Sequence, residues 1–153
     1  MKSKLLALTT AGFVAAIAHG DLKSDLQKRL DAYAAIIKAK DGKALDKWSA
    51  SNCAPDFRFV VREGRPYFLK DWLAEEKASY SRSPKISSLA FHIDNLTVTG
   101  DKATIKATAK STFQVVKANG KPATESNSSV FGIQLVKKKG KWLFFEVRQH
   151  SSH

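Results

Sequence analysis

The second half of this chain constrains the fold most, because it contains four alternating runs of apolar and polar residues joined by glycine-containing turns. The runs cover about 86–98, 102–117, 126–138 and 141–150. Asparagine and glycine tolerate the positive φ that tight hairpins require, and short connections join antiparallel neighbours. The pattern therefore predicts a four-stranded meander, with turns at Gly100-Asp101, Asn119-Gly120 and Lys139-Gly140.

The first half is different, because its apolar residues recur at helical spacing. Helices are predicted at about Asp21–Ala39 and Lys43–Asn52, and a third is predicted to begin at Pro66. The short run "DFRFVV" between the second and third helices alternates as a strand does. Helices segregated to one side of an antiparallel sheet define the α+β class.

The first twenty residues have the composition of an export signal. Lys2 and Lys4 precede an apolar run over 5–18, and no acid occurs before Asp21. A basic start, a short apolar stretch and small residues after it are typical of a secretory signal peptide. The sequence therefore predicts a signal peptide over 1–20, a single domain over 21–153 and an exported protein, periplasmic or secreted. An uncleaved membrane anchor is the alternative.

The chain is strongly basic, with a formal net charge of +12. Its densest run of lysines flanks the Gly140 turn, and it predicts either a solvated hairpin or a contact with an anionic surface. No aromatic residues interleave with the basic ones in a stacking pattern, so nucleic-acid binding is not expected. The run consists of Lys137, Lys138, Lys139 and Lys141.

Motifs for metal, cofactor or nucleophilic chemistry are not found in the sequence. Cys53 is the only cysteine, so the chain forms no internal disulfide, and a buried, unreactive thiol is the favoured interpretation. The four histidines lack metal-ligand spacing, and no glycine-rich phosphate loop occurs. We therefore expect neither a bound metal nor a cofactor.

The alternation also predicts which side chains face the helices. On the strand from Ala103 to Val115, the face that contains lysines should be exposed, so the opposite face should pack on the helices. Strict alternation on the last strand then places Leu143, Phe145 and Val147 inward. It places Glu146, Arg148 and His150 outward, as a solvated ladder or an oligomer contact.

The inner face carries small residues beneath several large aromatic ones. Such an arrangement can leave a ligand pocket, and the alternative is that the tryptophans fill the space. The candidate pocket consists of Tyr33, Trp48, Phe57, Trp72, Phe91, Ala107, Ala109, Phe131 and Phe145.

Three segments together resemble a known superfamily: "WSASNCAPDFRF", the long stretch "KDWLAEEKASYSRSPKISSLAFHIDNLTVTGDKATIKATAKSTF" and the closing "KKKGKWLFFEVRQHSS". They look like the nuclear transport factor 2-like, or SnoaL-like, fold, and the similarity covers nearly all of 21–153. The resemblance implies a cone-shaped, cystatin-like fold of three helices on a strongly curved antiparallel sheet. It also implies a pocket between helices and sheet, and homodimers formed through the sheet.

The superfamily includes both enzymes and non-catalytic binding domains, so the fold does not decide the activity. Resemblance to ketosteroid isomerase places Tyr33 and Asp56 loosely at the positions of a helix-one tyrosine and a general base. The carboxylic acid expected on a later strand is missing, since no acid occurs between Lys102 and Ala123. We therefore expect a binding or accessory domain for a small apolar or amphipathic ligand, without catalysis. The alternative is a small lyase, isomerase or hydrolase that uses Tyr33 and Asp56.

Overall fold

The computed structural model describes residues 8–62 and 64–153, and their side chains from His19 onward. Within these residues, three helices pack on a six-stranded sheet, which confirms the α+β cone. The helices are α1 (Leu8–Ala39), α2 (Gly42–Asn52) and α3 (Leu69–Ser79). The strands are β1 (Cys53–Val61), β2 (Tyr67–Phe68), β3 (Lys85–Thr99), β4 (Lys102–Val116), β5 (Pro122–Lys138) and β6 (Lys141–Ser152).

The sheet has the order β2-β1-β6-β5-β4-β3. Strands β3 to β6 form the antiparallel meander that the sequence predicts. Strand β1 joins the far side of β6, and this pair is parallel, with Phe59 opposite Val147. The sheet is therefore not wholly antiparallel, because β1 and β6 are linked through α3 and the entire meander and not through a hairpin.

The turns of the meander use backbone conformations that glycine adopts without strain. Gly100, Gly120 and Gly140 have φ values of 58°, 75° and 77°. In the β5–β6 hairpin, Lys139 also has a positive φ, of 50°. Two consecutive residues with positive φ form the turn whose twist matches that of paired strands, so this loop fixes the register at the start of β6.

Helix α1 packs across the inner face of the sheet and forms much of the core. Leu26 is fully buried, as are Ile105 and Ile133 of the strands beneath the helices. A turn at Lys40 and Asp41 then redirects the chain, and the Asp41 carboxylate accepts a hydrogen bond of 2.9 Å from the backbone N–H of Ala44. This N-cap satisfies one of the free donors at the start of α2.

Two helix boundaries differ from those that the sequence predicts. Helix α3 begins at Leu69 and not at Pro66, because Tyr67 and Phe68 pair with Phe59 and Arg58 as strand β2. Helix α1 begins at Leu8, well before Asp21. Residues 1–7 and the side chains of 8–18 lie outside the described residues, so the signal peptide over 1–20 stays a prediction.

The long helix α1 raises the question of membrane insertion. Across the described part of the chain, no helix combines the length and the apolar character that crossing a bilayer requires.

The inward face of β6 was predicted correctly for Val147 and wrongly for Leu143 and Phe145. A bulge lies opposite the step from Gln134 to Leu135, so that Leu135 pairs with Phe144 and Gln134 pairs with Glu146. Because a bulge inserts one extra residue, Phe144 and Val147 both face the helices, and Phe145 does not. Phe144 is 1% exposed, whereas Phe145 lies on the outer face, 5.2 Å below the guanidinium of Arg58. Leu143 is also shifted outward, since it pairs with Val136, the neighbour of inward-facing Leu135.

Candidate functional site

A cavity of about 100 Å³ lies between the helices and the inner face of the sheet. Helices α1, α2 and α3 contribute its upper wall, and strands β1, β3, β5 and β6 contribute its floor. Its lining consists of Leu30, Tyr33, Trp48, Phe57, Phe59, Trp72, Phe91, Phe131, Ile133, Phe144 and Val147. Eight of these eleven side chains are aromatic, so the cavity has rigid walls and few polar atoms.

Mutual packing holds the aromatic walls in place. The ring centroid of Tyr33 lies 5.0 Å from that of Trp48, and the centroids of Phe57 and Trp72 are 5.1 Å apart. The indole of Trp48 also stacks on Phe144, with a centroid distance of 5.6 Å. These distances lie in the range of favourable aromatic pairs. The mutual packing of the rings therefore fixes the shape of the cavity before any ligand enters.

The structure brings together six of the nine predicted pocket residues: Tyr33, Trp48, Phe57, Trp72, Phe91 and Phe131 line the cavity. Ala107 and Ala109 are buried on β4 but do not line it. Phe145 lies on the opposite face of the sheet, and Phe144 occupies the place predicted for it. Ligand binding by these residues stays a prediction.

Asp56 does not reach the cavity. Its side chain is 61% exposed, on β1, and its Oδ1 lies 3.4 Å from the Nζ of Lys138. Tyr33, in contrast, lines the cavity on α1. A base must reach the proton that it removes, so this position argues against the role of general base that was predicted as an alternative for Asp56.

Among the described side chains that line the cavity, only Tyr33 carries an oxygen atom. Burial raises the pKa of its hydroxyl well above the ordinary value of 10.0, and the neighbouring Glu76, Tyr80 and Cys53 raise it further. The hydroxyl therefore stays protonated at neutral pH and keeps a proton that it can donate in a hydrogen bond.

Glu76 and Tyr80 extend this polar cluster along α3 toward the following loop. Burial and then the adjacent Glu75 raise the pKa of Glu76 above its usual range. Burial, followed by the charge of Glu76, raises the pKa of Tyr80 to about 12, and the Tyr80 hydroxyl is buried without a hydrogen-bond partner. The sequence analysis missed this cluster, although Glu76 follows the buried Trp72 by four residues and so shares its helix face.

Replacing Glu76 by glutamine should raise the melting temperature at neutral pH. The raised pKa means that the folded state disfavours the charged carboxylate, and this cost is fully present above the folded-state pKa. Below the unfolded-state pKa, about 4.3, both states bind the proton and the cost disappears. Thermal melts at pH 7.5 and pH 3.5 check this prediction. The control Glu75→Gln removes the exposed neighbour, and an equal gain from both variants would contradict the assignment to burial.

Cys53 belongs to the same interior region. Its side chain is buried at the start of β1, and burial raises the pKa of the thiol to about 12. Because the thiolate is the reactive form, this cysteine is unreactive at neutral pH in the folded state. It packs as a small apolar side chain.

On the outer face of the sheet, Glu146 is buried, whereas the alternation of β6 predicts it in a solvated ladder or an oligomer contact. Glu146 is 5% exposed. Its Oε2 accepts a hydrogen bond from the Nε of Arg58 on β1, and its Oε1 accepts one of 3.3 Å from the Nε of Arg148. The parallel pairing of β1 with β6 places Arg58 opposite Glu146, and the sequence gives no local signal of that pairing.

The lysines of the β5–β6 hairpin are largely engaged within the molecule. Lys137 lies over the ring of Trp142, Lys138 pairs with Asp56 and Lys141 donates to the backbone carbonyl of Ser51. Of these four lysines, only Lys139, in the turn itself, has no contact of these kinds within the described residues. Contact of this hairpin with an anionic surface stays a prediction.

Within residues 8–62 and 64–153, no three His, Cys, Asp or Glu side chains come together as a potential metal site.

The three helices, the curved sheet and the cavity between them define the nuclear transport factor 2-like fold. Solved structures share this architecture. A protein of unknown function from Mycobacterium tuberculosis superposes with a TM-score of 0.65 at 20% identity, over 90% of this chain and 74% of that one. A nuclear transport factor 2-like superfamily protein from Salmonella enterica serovar Typhimurium gives 0.62 at 14% identity, over 87% and 92%.

A third similar structure, an uncharacterized protein with a cystatin-like fold from Caulobacter vibrioides, gives a TM-score of 0.57 at 14% identity, over 82% of this chain and 85% of that one. No protein-family model matches the sequence. No curated protein matches it either. At these identities the similarity establishes the fold and not the activity.

Proposed function

We propose that this chain is an exported protein that binds a small apolar or amphipathic molecule in its aromatic cavity, without catalysis. The observation that carries the proposal is the lining itself: it is apolar and largely aromatic, with the Tyr33 hydroxyl as its only oxygen. Small-molecule sites in proteins are concave and mostly apolar, with a few polar groups that orient the ligand.

The size of the cavity limits the ligand to about one ring. Its volume is about 100 Å³. An engineered apolar cavity of about 150 Å³ in another protein stays dry and binds benzene. A cyclic molecule of five or six ring atoms is therefore the size class that we propose, with a hydrogen-bond acceptor directed toward Tyr33.

An acid–base enzyme is the alternative, and the chemistry of the lining argues against it. General acid–base catalysis requires a group that gains and loses a proton near the working pH. Tyr33 is the only titratable side chain in the lining of the described cavity, and its raised pKa keeps it protonated. A binding protein needs only the donor.

Two model ligands of similar size test the proposed binding. Cyclohexanone carries an oxygen acceptor, and methylcyclohexane does not. We expect both to bind, and the Tyr33→Phe variant to lose about two- to tenfold in affinity for the ketone alone, since one neutral hydrogen bond contributes about 0.5–1.5 kcal/mol. Ligand-observed NMR titrations measure both affinities. An equal loss for both ligands would contradict the orienting role of Tyr33.

A matched pair of variants tests the location of the site. Val147→Phe adds a ring at the cavity lining, whereas Val136→Phe adds the same ring on β5 outside it. Binding of methylcyclohexane should disappear in Val147→Phe and persist in Val136→Phe. Binding that survives both changes in the folded proteins would refute the proposal that the cavity is the site.

The proposal includes export and a homodimer, which rest on the N-terminal sequence and on the resemblance in fold. Intact-mass analysis of protein recovered outside the producing cell tests the removal of residues 1–20. Light scattering tests the dimer, and a monomeric mass at high protein concentration would exclude it.

A further inference from the structure

An open groove of about 670 Å³ lies at the end of the sheet where β1 stops and β6 continues. It shares no lining residue with the aromatic cavity, and its chemistry is the opposite. Among the residues that the structure describes, no aspartate or glutamate side chain lines it. Its polar lining includes Arg62, Arg148, His150, Ser151, Ser152 and His153.

We propose that this groove binds a phosphate monoester group. Two guanidinium groups, two imidazoles and the Ser151 hydroxyl border the same volume and can donate hydrogen bonds, whereas the Ser152 hydroxyl already donates to Oδ1 of Asn127. A tetrahedral phosphate presents several acceptor oxygens in different directions, and arginine recognises it through paired N–H groups. A planar carboxylate would use fewer of these donors.

Arg148 is oriented for this role by the buried acid beside it. Its Nε–H donates to Oε1 of Glu146, and the four N–H bonds of its two terminal nitrogens are not needed for that contact. Arg58, which does not line the groove, donates to the other oxygen of Glu146 and so compensates the charge of the carboxylate. The contact with Glu146 thereby holds the Nε side of the Arg148 guanidinium. The Arg148 side chain is 43% exposed, so its terminal nitrogens remain available to a ligand.

Arg62 also borders the groove, in a constrained backbone conformation. Its φ is 48°, a left-handed value that residues other than glycine adopt uncommonly. The backbone N–H of Arg62 donates to the carbonyl of Gln149 at 3.1 Å, which ties this turn to β6. Strained residues of this kind concentrate at functional sites, and here the strain places a basic side chain over the groove.

The floor of the groove is an open strand edge. Pairing between β1 and β6 extends only to Val61 and Gln149. Beyond it, His153 exchanges two backbone hydrogen bonds with Ser128, at 2.7 and 2.8 Å. Because hydrogen-bonded and non-hydrogen-bonded pairs alternate in an antiparallel ladder, the N–H of Ser152 points away from β5, toward the groove. A bound anion would also accept a hydrogen bond from this backbone N–H.

A glycine makes room for the histidine at the rim. A Cβ built on Gly132 would lie 2.6 Å from the Nε2 of His150, a distance that real side chains do not show. Only glycine at this position of β5 therefore allows the imidazole to lie across the strand. His150 borders the groove from this position.

Inorganic phosphate is the probe for the site. Isothermal titration at constant ionic strength should show one phosphate per chain, with affinity reduced about tenfold or more in Arg62→Gln and in Arg148→Gln. Arg58 remains bonded to Glu146 in Arg148→Gln, so the buried acid keeps a partner. The control Arg82→Gln removes the same charge from an exposed pair with Glu75 outside the groove, and it should change the affinity less than twofold.

Vesicles distinguish a soluble phosphate ligand from a lipid headgroup. Sedimentation with phosphatidylcholine vesicles that contain phosphatidic acid, and with phosphatidylcholine alone, is compared for the same variants. Binding to the phosphatidic acid vesicles that is lost in Arg62→Gln supports the site with a lipid source, and phosphate binding without vesicle binding supports it with a soluble source. Equal losses in Arg62→Gln and Arg82→Gln, or no phosphate binding at all, would overturn the proposal.

Discussion

Replacing Phe144 by alanine is expected to cost about 3–5 kcal/mol of unfolding free energy, the range for a large aromatic side chain removed from a core. Phe144 is 1% exposed and stacks on Trp48, so its removal leaves a void next to the existing cavity. The matched variant Phe145→Ala removes a ring on the outer face below Arg58, with an expected cost of about 1 kcal/mol. Denaturant unfolding of both variants measures the difference.

This pair of variants also tests the bulge in β6. Strict alternation from Val147 predicts that Phe145 is the buried ring, and the observed register buries Phe144 instead. If Phe145→Ala lowered the unfolding free energy more than Phe144→Ala, the result would favour a strand without the bulge, in which Phe145 faces the pocket.

Replacing Glu146 by alanine is expected to destabilise the protein by about 1–3 kcal/mol, because Arg58 and Arg148 lose their shared acceptor and face each other as like charges. The arginine side chains are 42% and 43% exposed, so water compensates in part, and the cost stays below that of a fully buried pair.

The exposed acid Asp56 provides the control for this prediction. It faces Lys138 at 3.4 Å in solvent, and Asp56→Ala should change stability by no more than about 0.5 kcal/mol. Urea unfolding at neutral pH measures both variants. Equal small effects would mean that Glu146 is solvated, as the alternation of β6 alone suggests.

Local signals in the sequence were sufficient for the meander, because turn chemistry acts over a few residues. The glycines at 100, 120 and 140 all adopt positive φ, and the hairpins fall where these residues occur. The aromatic cavity was predicted in part for the same reason: Trp48, Trp72 and Phe91 lie on apolar faces that periodicity identifies.

Non-local pairing was the part that the sequence could not reveal. The bulge in β6 depends on how β6 pairs with β5. The burial of Glu146 depends on the parallel contact with β1, where its partner Arg58 is 88 residues away in the sequence. Neither leaves a local pattern. The start of α3 was missed similarly, since only pairing with β1 turns Tyr67 and Phe68 into a strand.

The parallel contact between β1 and β6 also determines the order in which this protein can fold. Strands β3 to β6 can pair one after another through short turns, whereas β1 gains its long partner only when β6 is in place. Contacts that are distant in sequence form slowly, because a long loop must close before they contribute. The docking of β1 should therefore limit the folding rate.

The sulfur atom of Cys53 can be used to follow the docking of β1 on β6. The Cys53 thiol lies at the start of β1, opposite Phe144 of β6, and it is buried in the folded protein. During refolding, the time at which this thiol stops reacting with a labelling reagent should mark the closing of the sheet, later than the formation of the meander.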